Sequence, residues 1–581
     1  MQQQKRRPLG TWLVTACALV GTFALAACGN DDDDNNDNGS ARAALFAPVD
    51  AAATDAAKRR VYGSDSVTID GQTRETGYVT ILRSGQQRGD SADLNVFGQI
   101  VDKNMAPILA ADGSTTIADS NDFSSILKVG GKLYSVSQFE SQPGGMYLTE
   151  LAQDSVTGKL SAVKTTAIDL SGINGIWNPC AGSVTPWNTH LGSEEYEANA
   201  RNGTASAASM SDYLAGGETN PYFWGYPVEV AVDEAGTPTV TKHYSMGRFA
   251  HELSYVLPNQ KTVYESDDGT DVMLVRYEAQ TAGKLSAGTL YAAKWKQTSP
   301  AGGNVADATA DIAWIELGTA SDAEVKALID AGTSFDDIFS VADPVGGICD
   351  AGFKLVVANG ASECLKLNAG QETAAAFLET RRYAGYLGAT TEFKKEEGIS
   401  YDAEARKLYV AYSDISSSMS DTKGDIQVSK NACGGVFEYS LDDNGIATRA
   451  AATVVGKPAS YAEGDAFYGN ACDVDGIGNP DNISFMPGQK TLLIGEDATT
   501  AHQNDMVWAY SLESGDLTRI ASTPYGAETT SLYYYPDVND FGYVVAVVQH
   551  PYGESDEDKV ADDSAERRSY FGYIGALAAH K

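Results

Sequence analysis

One unit recurs along this chain: an apolar strand ending in acids or amides, a loop, a strand of aromatic and β-branched residues, then a glycine turn. It reads Leu133-Tyr-Ser-Val-Ser-Gln-Phe-Glu140 into Met146-Tyr-Leu-Thr-Glu-Leu151 and Gly158. It returns as Val263-Tyr-Glu-Ser-Asp-Asp268 into Met273-Leu-Val-Arg-Tyr277 and Gly283. Leu408-Tyr-Val-Ala-Tyr-Ser-Asp414 with Val436-Phe-Glu-Tyr-Ser440 and Gly445 is a third copy; Leu492-Leu-Ile-Gly-Glu-Asp497 with Met506-Val-Trp-Ala-Tyr-Ser-Leu512 and Gly515 is a fourth. Partial copies occur at Val544–His550, a first strand, and Val228–Val232 with Gly236, a second. Strand, hairpin and turn repeating at intervals of tens of residues is the signature of propeller blades. The expected fold is therefore an all-β propeller of about six blades. A pair of β-sandwiches would also alternate strands, but would not place polar residues after the same strand each time. In a propeller those strand ends converge on one mouth of the channel, so Glu140, Asp268, Asp414, Glu496, Asp497 and His550 become candidates for one site.

Two stretches interrupt the β pattern. Residues 323–339, with Val325, Leu328, Ile329 and Phe335, and residues 372–386 carry helical spacing. Residues 321–394 are read as a largely helical insertion. The domain occupies 46–581.

The N-terminus addresses the envelope. Lys5-Arg6-Arg7 precedes an uncharged apolar run from Thr11 to Ala27, which is a signal peptide over 1–27. The run ends in Leu25-Ala26-Ala27-Cys28, small residues before a thiol, so Cys28 is expected to be lipidated and to anchor the chain to the bacterial cell envelope, at the outer membrane, facing the periplasm or the surface. Arg6-Arg7 fits twin-arginine export poorly because of Pro8-Leu9-Gly10. Residues 28–45 are mostly Asp, Asn and Gly and read as a solvated tether.

With 78 acidic against 42 basic residues the net charge is −36, and no basic patch offsets it. Nucleic acid is excluded as a partner. If the substrate is an anion, cations must reverse the field locally. The envelope is oxidising, and five cysteines remain after Cys28. Cys349 with Cys364 can staple a loop and Cys433 with Cys472 can join neighbouring elements, which leaves Cys180 free. Buried packing or thiolate ligation of a transition metal are its two uses. No serine-nucleophile elbow, zinc-protease spacing or complete EF-hand is present.

Chemistry is densest in Asn178-Pro-Cys-Ala-Gly-Ser-Val-Thr-Pro-Trp-Asn-Thr-His-Leu-Gly-Ser-Glu-Glu195 and in Gly247-Arg-Phe-Ala-His-Glu252. Together with Lys395-Glu-Glu-Gly398, Asn479-Pro-Asp-Asn482, Ile494-Gly-Glu-Asp497, Gly526-Ala-Glu528 and Gln549-His-Pro551, this ordered series resembles the PhoX-type alkaline phosphatases. The resemblance spans about 137–553. It implies a propeller phosphomonoesterase acting on small-molecule phosphate esters through ferric iron and calcium. It further implies Cys180 as the iron ligand and Glu195, Glu252, Glu397 and Glu528 as carboxylate ligands, with Asp267, Asp268 and Glu496 as further acids. Lys395 and Arg248 are the basic groups expected at phosphate. Where the family has Arg-Pro-Glu, this chain has Lys395-Glu396-Glu397, a point charge in place of a bidentate clamp. Gln138 and Glu140 lie where the family has an Asn and a Glu near phosphate. Two other readings stay open: a calcium-dependent propeller lactonase or phosphotriesterase, which leaves Cys180 without a role, and a non-catalytic calcium-binding envelope lipoprotein.

Overall fold

A computed structural model describes residues 43–580. The expected signal peptide, Cys28 and nearly all of the acidic tether lie outside the described residues. Six four-stranded antiparallel units surround a channel. Blade one comprises Asn121–Val129, Lys132–Phe139, Gly145–Gln153 and Leu160–Ala167; blade two comprises Gly182–Val184, His190–Gly192, Val228–Val232 and Pro238–Lys242. Blade three runs from His251–Val256 through Thr262–Asp267 and Val275–Thr281 to Lys284–Gln297; blade four holds Glu396–Asp402, Lys407–Tyr412, Gly435–Leu441 and Ala447–Val455. Blade five is Pro480–Met486, Thr491–Glu496, Met506–Ser511 and Leu517–Ser522, with the two-residue strand Tyr62–Gly63 added at its edge. Blade six joins Glu528–Tyr535, Phe541–Gln549 and Tyr570–Ala578 to an N-terminal strand, Tyr78–Arg83, with Leu82 opposite Phe571. This last pairing closes the ring with a strand from the other end of the chain, so the final blade has no three-stranded edge.

The recurring unit in the sequence is thus the second and third strands of a blade. The first strand of each blade lies innermost, and these six strands touch one another in ring order. The hydrophobic core is divided among the interfaces between neighbouring blades. Tyr409 of blade four stacks on Phe485 of blade five with ring centroids 6.3 Å apart, and Tyr147 of blade one packs in one cluster with Tyr543 of blade six. Each such ring contributes on the order of 2–3 kcal/mol of burial.

Blades three and four are fused by an extra strand, Thr309–Ser321, which pairs with Lys284–Gln297 on one side and Ala447–Val455 on the other. The interrupting segment follows it. Its helices Asp322–Asp330, Phe335–Ile338, Glu372–Leu378 and Thr380–Leu387 are joined by a three-stranded sheet, Phe339–Ala342, Lys354–Ala358 and Ala361–Leu367. The sheet was not expected from the helical spacing. Its Val356 and Leu365 bury their side chains in the same cluster as Phe377, so it is the short strands' packing, not their length, that fixes them. The first helix starts on a capping box, with Ser321 and Glu324 satisfying each other's backbone N–H groups. Val325, Ile329 and Phe377 pack with Tyr277 and Leu290 of blade three, so this segment sits on the propeller's flank. Disulfides join Cys349 to Cys364 and Cys433 to Cys472, and Cys180 is free and buried.

Candidate metal centre

Each innermost strand begins with a potential ligand. Asp122, Glu252, Glu397 and Asp481 are the second residues of their strands, Glu528 is a first residue, and Cys180 stands two before Gly182. In blades one, three, four and five the ladder slips just there: pairing is lost between Asn121 and Ser124, His251 and Ser254, Glu396 and Ile399, and Pro480 and Ile483. The candidate ligand lies in the slip each time. A bulge frees a side chain from the alternation of the strand and re-aims it, here into the channel mouth.

A second ring comes from the residues that follow the second strands: Glu140, Glu195, Asp268, Asp497 and His550. Both rings, except Asp122, line one cavity of about 390 Å³ with Lys395 and Tyr196. Asp122 lies behind it, its Oδ2 3.5 Å from the Cys180 sulfur. The opposite end of the channel is a separate cavity of about 440 Å³, walled by Tyr255, Tyr401, Phe485 and Tyr533, with no acid from either ring.

Four acid pairs divide their labour in one pattern, because adjacent extended residues face opposite ways. Glu195, Asp268, Glu397 and Asp497 face the cavity. Their predecessors are structural. Glu194 pairs with buried Lys242 at 2.9 Å, Asp267 is bound by Arg381 with Nε 2.8 Å from Oδ1, and Glu396 accepts from Tyr412 at 2.9 Å. Glu496 accepts from Trp508 Nε1 and the Gly478 amide, both at 2.8 Å, and from His502 Nδ1 at 2.9 Å. Asp267 and Glu496, both expected at the site, are therefore corrected to framework residues.

Arg248 is corrected as well. Its buried guanidinium donates to the carbonyls of Trp224 at 2.8 Å and Pro221 at 3.0 Å, and to that of Ala198, which leaves it turned away from the mouth. Asp414 pairs with Lys394 at 2.6 Å outside the cavity. Gln138 is buried and donates to the Cys180 carbonyl, holding the thiol segment in place. Sequence reasoning missed Asp122 as a ligand candidate altogether; its one signal is an Asn-Asp pair opening a strand, with an Asp-Asn pair, Asp481-Asn482, near the start of blade five's first strand.

Electrostatics define what this pocket needs. Burial, then neighbouring acids, pushes the carboxyls of Asp122, Glu195, Glu252, Glu397 and Glu528 well above the usual range. Asp481 is pushed up to about 7 by burial and by Asp497. Burial likewise raises the Cys180 thiol, assisted by Asp122 and Glu195. Lys395, whose φ is 46°, lies with Nζ 3.2 Å from Glu397, 3.4 Å from Asp268 and 3.6 Å from Asp497. Burial alone would lower its pKa, but these carboxylates hold it well above the usual lysine value. One lysine cannot neutralise so many acids, so protons or further cations must.

Three overlapping sets offer ligand atoms within 4.8 Å of one another: Asp122–Glu140–Cys180, Cys180–Glu195–Glu252, and Glu252–Glu397–Asp481. Asp122 Oδ1 and Asp481 Oδ1 are buried without a hydrogen-bond partner. Orphaned acceptors beside a buried thiol fit cations better than they fit a neutral pocket. Glu528 and Asp268 line the cavity beside these sets.

Fold and site together define a six-bladed propeller with an acid-and-thiol centre at one mouth. The sequence matches the family described as alkaline phosphatase PhoX over residues 129–551, and the chain belongs to that family. Among solved structures it is similar to Pseudomonas fluorescens PhoX in complex with vanadate, a transition state analogue, at 16% identity and TM-score 0.61, over 92% of this chain and 99% of that one. It is more distantly similar to the Pseudomonas aeruginosa periplasmic gluconolactonase PpgL, at 10% identity and TM-score 0.30, over 81% and 98% of the two chains. No curated protein matches in sequence.

Proposed function

We propose that this protein is a metal-dependent phosphomonoesterase of the bacterial cell envelope, anchored through Cys28, whose centre holds iron and calcium. The observation that carries the reading is the convergence of one thiol and carboxylates from all six blades on a single mouth. Membership of the alkaline phosphatase family supplies the reaction class. The two disulfides support an oxidising compartment.

The donor set fits the metals. Hard carboxylate oxygens suit calcium and ferric iron, and a thiolate adds a strong donor for iron. Cys180, Glu195 and Glu252 would hold iron, while Glu140 with Asp122 and Glu397 with Asp481 would hold calcium at either side. Such cations supply Lewis-acid polarisation of the phosphoryl oxygens and offset the charge that develops there. The protein's own part is orientation and charge. Lys395 offers its ammonium to the phosphoryl group from a position fixed by three carboxylates. His550 Nε2, 3.3 Å from Glu528 and 3.7 Å from Glu554, can carry a proton at the mouth, where a leaving alkoxide would need one.

Elemental analysis of the purified protein, run beside hydrolysis of an aryl phosphate at alkaline pH, tests this for wild type and Cys180→Ala. Iron and calcium in wild type are expected, with iron and turnover both lost in the variant. Calcium without iron, and no hydrolysis, would leave a calcium-stabilised propeller with no phosphatase activity.

A further inference from the structure

Tyr196 stands at the lip of the cavity with 48% of its surface exposed, directly after Glu195. Its backbone is left-handed, with φ 47°, a conformation that a bulky side chain adopts at a cost and that Asn or Gly would adopt more readily. Its carbonyl is held by Trp177 Nε1 at 3.0 Å, and its hydroxyl donates to Asp268. Pinned at both ends, the side chain is held in place where it lines the mouth. A strained residue kept at a site in this way invites a functional account, and positioning Glu195 or Asp268 does not require an exposed ring.

The rim is also acidic. The side chains of Asp497 and Glu554 are 23% and 33% exposed, and Thr499 donates to Glu554 at 2.9 Å. An incoming group that carried a second negative charge would meet both carboxylates there, of which Lys395 contacts Asp497 and not Glu554. A flat, uncharged group would lie on the Tyr196 ring without penalty.

We infer that Tyr196 is a specificity-determining platform for the organic part of the substrate, so that the site selects phosphate monoesters of alcohols that carry a flat, uncharged group, such as nucleoside monophosphates, over esters of small aliphatic alcohols. This rests on the phosphomonoesterase reading above. A nucleoside 5′-monophosphate and glycerol 1-phosphate both release a primary alkoxide, so comparing them isolates the platform from leaving-group chemistry. The metal-loaded protein, Tyr196→Ala and Tyr196→Phe are assayed on both esters. The ratio of kcat/KM, nucleoside ester over glycerol ester, is expected to fall about tenfold in Tyr196→Ala, chiefly through KM, and to stay within about twofold in Tyr196→Phe, which keeps the ring. Equal losses on both esters in Tyr196→Ala, or a Tyr196→Phe ratio as low as that of Tyr196→Ala, would overturn the platform while leaving the phosphatase reading intact. Wild type that turns over neither ester would sink both.

Discussion

At the scale of single residues, the acid pairs decide which carboxylate is chemistry and which is scaffold. Period-two alternation placed Glu496 and Asp497 together at a strand end but could not say which of them turned inward; only the Trp508 and His502 partners of Glu496 settle it. The two classes should separate under the same isosteric change. Glu496→Gln breaks a fully buried set of bonds and is expected to cost roughly 3 kcal/mol while the metal content stays at the wild-type level. Glu252→Gln should do the reverse. It removes one of several crowded buried acids, so the metal-stripped protein should become more stable by about 1 kcal/mol, and its iron should be lost. Denaturation of metal-free samples and elemental analysis of loaded ones check both. Loss of metal in Glu496→Gln would return that residue to the ligand set. Cys180, by contrast, was legible from arithmetic alone: two cysteine pairs left one thiol over, and the fold buries it beside Asp122, Glu195 and Glu252.

At the scale of elements, the sequence exposed the second and third strands of the blades and hid the first. The reason is physical. First strands such as Pro480–Met486 are buried on every residue, so they show no in-out alternation, and a bulge at their start breaks what register there is. Their opening residues are polar because they face the centre, which makes them look like loops. The closing strand Tyr78–Arg83 was hidden for another reason: its partner, Tyr570–Ala578, is nearly the whole chain away. One covalent element supports the site directly. Cys433–Cys472 ties the start of blade four's third strand to the loop entering blade five, and it packs against Ala498, next to Asp497. With the two cysteines 39 positions apart in sequence, chain entropy puts its contribution at roughly 4 kcal/mol. The double variant Cys433→Ala, Cys472→Ala should lose about that much in denaturant titration, and reductant should shift wild type in the same direction. An unchanged midpoint in both would show that the loop is held by packing alone.

At the scale of the whole molecule, the ring concentrates one kind of charge where burial is deepest, so stability and metal content are linked through pH. A carboxyl whose folded pKa is raised above its unfolded value favours folding below the unfolded value, because the folded state then holds the proton more tightly. That contribution is lost as pH rises through the folded value. For Asp481 the window runs from 3.8 to about 7, and Glu195, Glu252, Glu397 and Glu528 act in the same direction. The metal-stripped protein should therefore lose stability steadily between about pH 4 and pH 8, on the order of several kcal/mol and about 5 °C in Tm. Metals take the place of the protons and bind better as the ligands deprotonate, so the loaded protein should hold or gain stability over the same range. Thermal unfolding across that range, with and without chelator, draws the two curves. They should diverge upward in pH, whereas parallel curves would mean that the raised carboxyls do not bind the metals, and the assignment of the centre to this mouth would fail.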